Sequence, residues 1–254
     1  MNILKHYLKY KFTAKGRHGI HSPFVYTLVD QCLRKKMPPS AANAFLTYIS
    51  KLKANHKKIA IVDLGAGSHK LSNERKVSSI AKVSGTGIKY GKLLYKLVAF
   101  YQPKRILELG TSVGIGTHLM HLAKKDAEIH TVEGCPNTLE VAKQALTEAK
   151  VNNIHFYSSS FVEFLKSCSL TFDFVFIDGD HRGESLLQQL ELLQPLIHDE
   201  TLIVLDDIRW SDDMYKTWEK IIHSTNYSLS IDLFRMGIIA RRPKQFKEHF
   251  VVNY

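Results

Sequence analysis

The sequence predicts an α/β fold in which strands and helices alternate around a mostly parallel sheet. Three observations carry this. Residues 104–120, KRILELGTSVGIGTHLM, read as strand, glycine-rich turn and helix. Further short apolar runs follow at 128–133, 154–157, 172–177 and 201–205, and segments of helical periodicity separate them. Several runs are apolar nearly throughout, as strands covered on both faces are.

Taken in order, residues 1–12 form a basic amphipathic helix with Ile3, Leu4, Tyr7, Leu8 and Phe12 apolar, expected to pack on the body. KGRHGIHSP, residues 15–23, is a loop; His18 and His21 have no acid or cysteine beside them to complete a metal site. Ser22-Pro23 starts a helix over 24–33, the prolines near 38 break it, and 41–53 makes another. Residues 59–83 contain the glycine-bearing stretch Asp63-Leu-Gly-Ala-Gly-Ser68. They lack a second strand ending in an acid about twenty residues on, so they read as a loop or lid. Gly91–Tyr101 has a helical apolar face and leads through Pro103 into the first strand, 106–109. The second strand, 128–133, ends on Glu133, and a helix over 137–150 follows. The third strand is 154–157; Ser160 suits the N-cap of a helix over 161–167. The fourth strand, 172–177, ends at Asp178, a helix spans 183–193, and the fifth strand, 201–205, ends at Asp206-Asp207. A helix over 214–223, an antiparallel pair at 227–234 and 236–240, and a tail from 243 close the chain.

Composition narrows the function classes. No run approaches the roughly 18 apolar residues of a membrane span, and the N-terminus lacks the apolar stretch of a signal peptide. Cys32, Cys135 and Cys168 make no C-x-x-C pairing, so reduced, structural cysteines and a cytoplasmic setting are expected. Residues 1–60 hold twelve Lys or Arg and one acid, Asp30, which accounts for the whole net charge of +11; the remaining 23 basic and 23 acidic residues balance. A basic appendage is therefore attached to a neutral body, and it could face nucleic acid, an anionic membrane surface or an acidic substrate.

The glycine turn brings backbone N–H groups and a helix N-terminus up to a nucleotide-like ligand. Glu133, at the tip of the second strand, can accept both hydroxyls of a ribose. Gly110, Gly114 and Gly116 read G-x-x-x-G-x-G, which departs from the dinucleotide fingerprint. Glu108, inside the strand, would repel a pyrophosphate and suits a ligand bearing an ammonium group. S-adenosylmethionine combines a sulfonium, an ammonium and a ribose.

ELGTSVGIGT, residues 108–117, resembles the first motif of class I S-adenosylmethionine-dependent methyltransferases. Thr86-Gly-Ile-Lys-Tyr-Gly91-Lys-Leu-Leu, Phe172-Asp-Phe-Val-Phe-Ile-Asp178-Gly-Asp-His181 and Leu205-Asp-Asp-Ile-Arg-Trp210 extend the likeness to the catechol and caffeoyl-CoA O-methyltransferase branch, over roughly 84–242. The resemblance implies a Rossmann-like sheet of seven strands in order 3-2-1-4-5-7-6, with 1–83 as a helical extension and lid and 243–254 as a tail. It implies cofactor contacts from Thr86, Glu108, Gly110, Thr111, Ser112, Gly116, Thr117, Glu133, Ser159, Ser160 and Asp178. In that branch two aspartates and an asparagine hold Mg²⁺; Asp178 and Asp206 match the aspartates, and Asp207 stands where the asparagine does. Three crowded carboxylates need a cation or donors to neutralise them, and oxygen ligands suit Mg²⁺ or another hard divalent ion. His181 replaces the branch's lysine base, a role histidine can fill.

The expected function is therefore methyl transfer from S-adenosylmethionine to a small-molecule hydroxyl, with His181 and Asp178 as catalytic residues. Alternatives are a methyltransferase for RNA or another polyanion recruited by residues 1–60, and a non-catalytic cofactor-binding or membrane-associated module. A nicotinamide oxidoreductase is disfavoured by Glu108 and the glycine spacing. Homodimerisation is left open.

Overall fold

The computed structural model describes residues 3–16, 19–62, 71–83 and 87–254. In chain order the elements are α1 (Ile3–Thr13), α2 (Pro23–Leu28), α3 (Pro39–Ala54), β1 (Lys58–Val62), β2 (Leu71–Lys76), α4 (Val77–Val83) and α5 (Ile88–Tyr101). Then come β3 (Arg105–Leu109), α6 (Ile115–Ala123), β4 (Glu128–Glu133), α7 (Pro136–Glu148), β5 (Ile154–Ser158) and α8 (Phe161–Ser167). The last are β6 (Phe172–Ile177), α9 (Gly183–Leu192), β7 (Ile197–Leu205), α10 (Asp212–His223), β8 (Leu229–Leu233), β9 (Met236–Ala240) and β10 (Glu248–Val251). The fold is α/β with mostly parallel strands, as the alternation predicts. Its contacts form two compact units, residues 36–168 and residues 1–35 with 169–254.

In the unit of residues 36–168, β4 lies between β3 and β5, all parallel. Val113, Ile115 and Leu119 join Phe45, Tyr48 and Leu52 of α3 and Ala142 and Leu146 of α7 in one core. Local chemistry sets the boundaries. Gln102 ends α5 in the left-handed conformation just before Pro103. Pro136 occupies the first turn of α7, where its missing N–H is not needed. Ser160 and Glu163 close a capping box on α8.

The stretch expected as a loop or lid has regular structure instead. Ile59-Ala-Ile-Val62 pairs antiparallel with Leu71–Lys76, and α4 follows. An apolar run needs partners for its backbone and its side chains. β2 supplies the first; the second comes from docking on α7, where Asn137 Nδ2 donates to the Ala60 carbonyl at 2.8 Å. The strand β2 is polar, which is why it reads as a loop. The glycine-bearing residues 63–68 and His18 lie outside the described residues.

In the unit of residues 1–35 and 169–254 the strands run β6-β7-β9-β8-β10, with β6 and β7 parallel and β9 antiparallel to both β7 and β8. Each unit thus reproduces its part of the expected strand order. The tail is a correction: Glu248–Val251 is a strand, parallel to β8. The sheet also ties down the N-terminal segment. Tyr10, buried in α1, donates its hydroxyl to the Val252 carbonyl at 2.6 Å, and the Lys15 N–H donates to Val251 O. Ser211 caps α10, which carries Asp212 and Asp213 in its first turn and Lys220 and His223 in its last, in keeping with the helix dipole.

Candidate active site

The glycine turn departs from β3 with positive φ at Gly110 (108°), Ser112 (48°) and Gly114 (79°), the two glycines adopting it at no steric cost. A Cβ at Gly114 would stand 2.7 Å from the Tyr48 hydroxyl, which itself donates to the Val113 carbonyl at 2.9 Å. The turn is thus shaped from behind by α3. On its other side Glu133 meets it: Glu133 Oε2 accepts the Ser112 N–H at 2.8 Å, and Oε1 accepts the Cys135 N–H at 2.9 Å. Burial raises the Glu133 pKa, and these backbone donors oppose the rise.

Glu108 is fully buried. Its Oε2 accepts the hydroxyls of Thr117 at 2.5 Å and Thr131 at 2.6 Å, and Thr111 shares a hydrogen bond of 2.6 Å with Thr131. Thr111 and Thr117 are therefore buried in a network around Glu108. The second oxygen, Oε1, is buried without a partner. Burial, with Glu133 adding to it, raises the Glu108 pKa to about 7 against the two threonine hydrogen bonds. An orphaned acceptor in a buried acid beside a glycine turn fits a cationic ligand of the S-adenosylmethionine kind. Gly116 lies in the first turn of α6. Ser160 is spent on capping α8; Ser159 donates to the Ser160 carbonyl at 3.1 Å and is half-buried. Thr86 lies outside the described residues.

The unit of residues 1–35 and 169–254 holds Asp178, His181, Asp206 and Asp207, the residues expected at the reacting end. Asp178 follows β6, and Asp206 and Asp207 follow β7, the strand ends where open α/β sheets bind ligands. One ligand atom each of Asp178, His181 and Asp207 lies within 4.8 Å of the others. His181 Nε2 is 3.8 Å from Asp207 Oδ2, and its ring lies 5.5 Å from that of Trp210, which is 61% exposed. Burial lowers the His181 pKa, Asp206 opposing it, so the ring is neutral near pH 7.

The three aspartates do not gather as one set. Asp206 is buried and takes Arg235 Nε and Nη2, each at 3.1 Å, along with the Asp207 N–H at 2.9 Å. Arg235 Nε also reaches Asp207 Oδ1 at 2.9 Å. Arg235 thus neutralises the carboxylates, a role that the sequence leaves to a metal or other donors. Burial, and then Asp207, raise the Asp206 pKa against the pull of Arg235. Nothing in the motif marks Arg235; it sits in the turn joining β8 and β9, thirty residues downstream. The group whose ligand atoms lie together is Asp178, His181 and Asp207, while Asp206 is paired with Arg235.

Arg209 anchors this loop. Its guanidinium makes two hydrogen bonds to Asp232, at 2.8 and 2.6 Å, and one to the Phe234 carbonyl at 2.6 Å; both charged side chains are nearly fully buried.

Residues 107–208 match the family model described as a methyltransferase domain. The curated O-methyltransferase hkm8 of Aspergillus hancockii is 28% identical over 156 residues, 59% of this chain, and the match spans 60% of that protein. The S-adenosylhomocysteine-bound methyltransferase PaMTH1 of Podospora anserina superposes with a TM-score of 0.59 at 15% identity, over 89% of this chain and 94% of that one. An O-methyltransferase of Bacillus cereus, in complex with S-adenosylhomocysteine, gives 0.54 at 17% identity, over 85% and 96%. At such identities the two structures establish likeness of fold. In sequence the chain is thus similar to a methyltransferase domain over residues 107–208 and to an O-methyltransferase over 59% of its length. Among the described residues no helix is long and apolar enough to cross a membrane.

Proposed function

We propose that this methyltransferase transfers a methyl group from S-adenosylmethionine to a hydroxyl oxygen of a small molecule, with His181 as general base. The observation that carries the reading is the grouping of a neutral, half-buried histidine with Asp178 and Asp207 at the strand ends.

S-adenosylmethionine, when bound, supplies an electrophilic methyl group on a sulfonium. Glu133 and the amides of the glycine turn would orient its ribose side, and Glu108 suits its ammonium. In the transfer the acceptor O–H bond breaks, its oxygen bonds to the methyl carbon, and the carbon–sulfur bond breaks to leave a neutral thioether. His181 Nε2 takes the proton, and the Asp207 carboxylate, 3.8 Å away, stabilises the resulting imidazolium. Alignment of nucleophile, carbon and sulfur supplies most of the acceleration. Trp210 offers an exposed aromatic face beside the base, suited to a flat acceptor.

A second reading has Asp178, His181 and Asp207 holding a divalent cation that lowers the acceptor's pKa. The compact N/O donor set favours it, and the nitrogen donor points to Mn²⁺ or Zn²⁺ before Mg²⁺. A labelled-methyl assay on a panel of phenols and vicinal diols, with and without EDTA, tests both. Activity that survives EDTA and falls about 10²–10⁴-fold in His181→Ala supports the metal-free base. Activity abolished by EDTA and restored by Mn²⁺ supports the cation. No transfer to any hydroxyl acceptor by a protein that binds S-adenosylhomocysteine contradicts the proposal.

A further inference from the structure

The unit of residues 36–168 gathers a second set of donors far along the strands from the glycine turn. Glu128 and His130 are two apart on β4 and share one face of the sheet; His155 of β5 stands in register with His130. One ligand atom from each of the three lies within 4.8 Å of the others. Glu128 Oε1 is 3.2 Å from His130 Nε2 and 3.1 Å from His155 Nε2. The two imidazoles are stacked, with centroids 4.5 Å apart and planes 13° from parallel, so both ring nitrogens address the same carboxylate oxygen.

The outer edges of the set are held as well. The Tyr157 hydroxyl lies 2.9 Å from His130 Nδ1, which leaves Nε2 as the nitrogen turned to Glu128. Arg105 Nε donates to Glu128 Oε2 at 2.9 Å, which leaves Oε1 facing the rings. Partners of this kind fix the ring orientation of metal-bound histidines and the rotation of metal-bound carboxylates.

We propose that Glu128, His130 and His155 bind a first-row divalent transition-metal ion of the Zn²⁺ class. Two imidazoles and one carboxylate disfavour Mg²⁺ and Ca²⁺, which prefer oxygen. His155 is half exposed and His130 is buried, so the ion would enter from the His155 side and complete its shell with water. Glu128 opens β4 while Glu133 closes it, so the ion sits at the strand end remote from the cofactor turn. Its role is to clamp β4 to β5 rather than to take part in methyl transfer.

The test uses the full chain with Co²⁺ as a visible probe and Zn²⁺ as competitor. His181→Ala serves as the background, because it disables the donor set around Asp178. In that background the protein binds one Co²⁺ with d–d bands, Zn²⁺ displaces it, and Zn²⁺ raises Tm. Adding His155→Ala weakens Co²⁺ binding at least tenfold and removes the Tm shift; Tyr157→Phe weakens it about tenfold. His155 is surface-exposed, so its variant keeps the native far-UV spectrum. The proposal is overturned if the background protein binds no Co²⁺, or if His155→Ala binds it within twofold of that background.

Discussion

Glu108 presents one oxygen to two threonine hydroxyls and the other to no partner, inside a fully buried site. Its pKa of about 7 stands above the ordinary carboxylate value, so the folded chain holds this proton more tightly than the unfolded chain does. The resulting contribution to stability is fully present below about pH 4.5 and is lost as pH rises to about 7, on the order of 3 kcal/mol. Glu108→Gln should therefore flatten the stability curve across that window in urea titrations, and it should weaken S-adenosylhomocysteine binding at pH 8. His181 shifts the other way, its pKa lowered by burial. As a base it is active when neutral, so kcat/KM should fall only below about pH 6.5 and stay level above. A pH–rate profile with its acid limb above 7 would contradict the assignment. The sequence made Glu108, Glu133 and His181 legible because each lies in, ends or closely follows a recognisable strand. It did not reveal that Thr111 and Thr117 face inward on Glu108, or that Arg235 neutralises Asp206 and Asp207. Those pairings depend on side-chain directions and on contacts thirty residues apart.

At the level of elements, the turn and the loop are held from behind by specific contacts. Gly114 has φ 79° and Tyr48 against its open side, so Gly114→Ala combines backbone strain with overpacking. A loss of about 2–5 kcal/mol in chemical denaturation is expected. Arg209→Met leaves Asp232 buried without its cation and should cost about 3–5 kcal/mol. It should also lower kcat by loosening the loop that carries Asp206, Asp207 and Trp210. Strands β3 to β9 and their helices were legible from buried apolar runs and helical periodicity. The β1–β2 pair and β10 were not. β2 is polar, and β10 is four residues long, so neither carries the apolar pattern of a strand and both are strands through their pairing with β1 and β8.

Across the whole molecule, the net charge of +11 lies in residues 1–60, while the proposed site residues lie in the balanced remainder. The first helix is not a free appendage: Tyr10 and Lys15 bind it to the strand that follows Lys247, and His6 and Tyr7 pack on Tyr215 and Phe234. Its outer face keeps Leu4 and Phe12 exposed. Tyr10→Ala should lower Tm by several degrees, at roughly 2–4 °C per kcal/mol for a chain of this size, as scanning calorimetry would register. On this reading the glycine turn and Glu133 hold S-adenosylmethionine. The most direct measurement is calorimetric titration of S-adenosylhomocysteine, and separately of NAD, into the native chain and Glu133→Ala. One S-adenosylhomocysteine site is expected, weakened at least tenfold in the variant, with no heat from NAD. Binding of NAD in place of S-adenosylhomocysteine, or S-adenosylhomocysteine binding unchanged by the substitution, would contradict it.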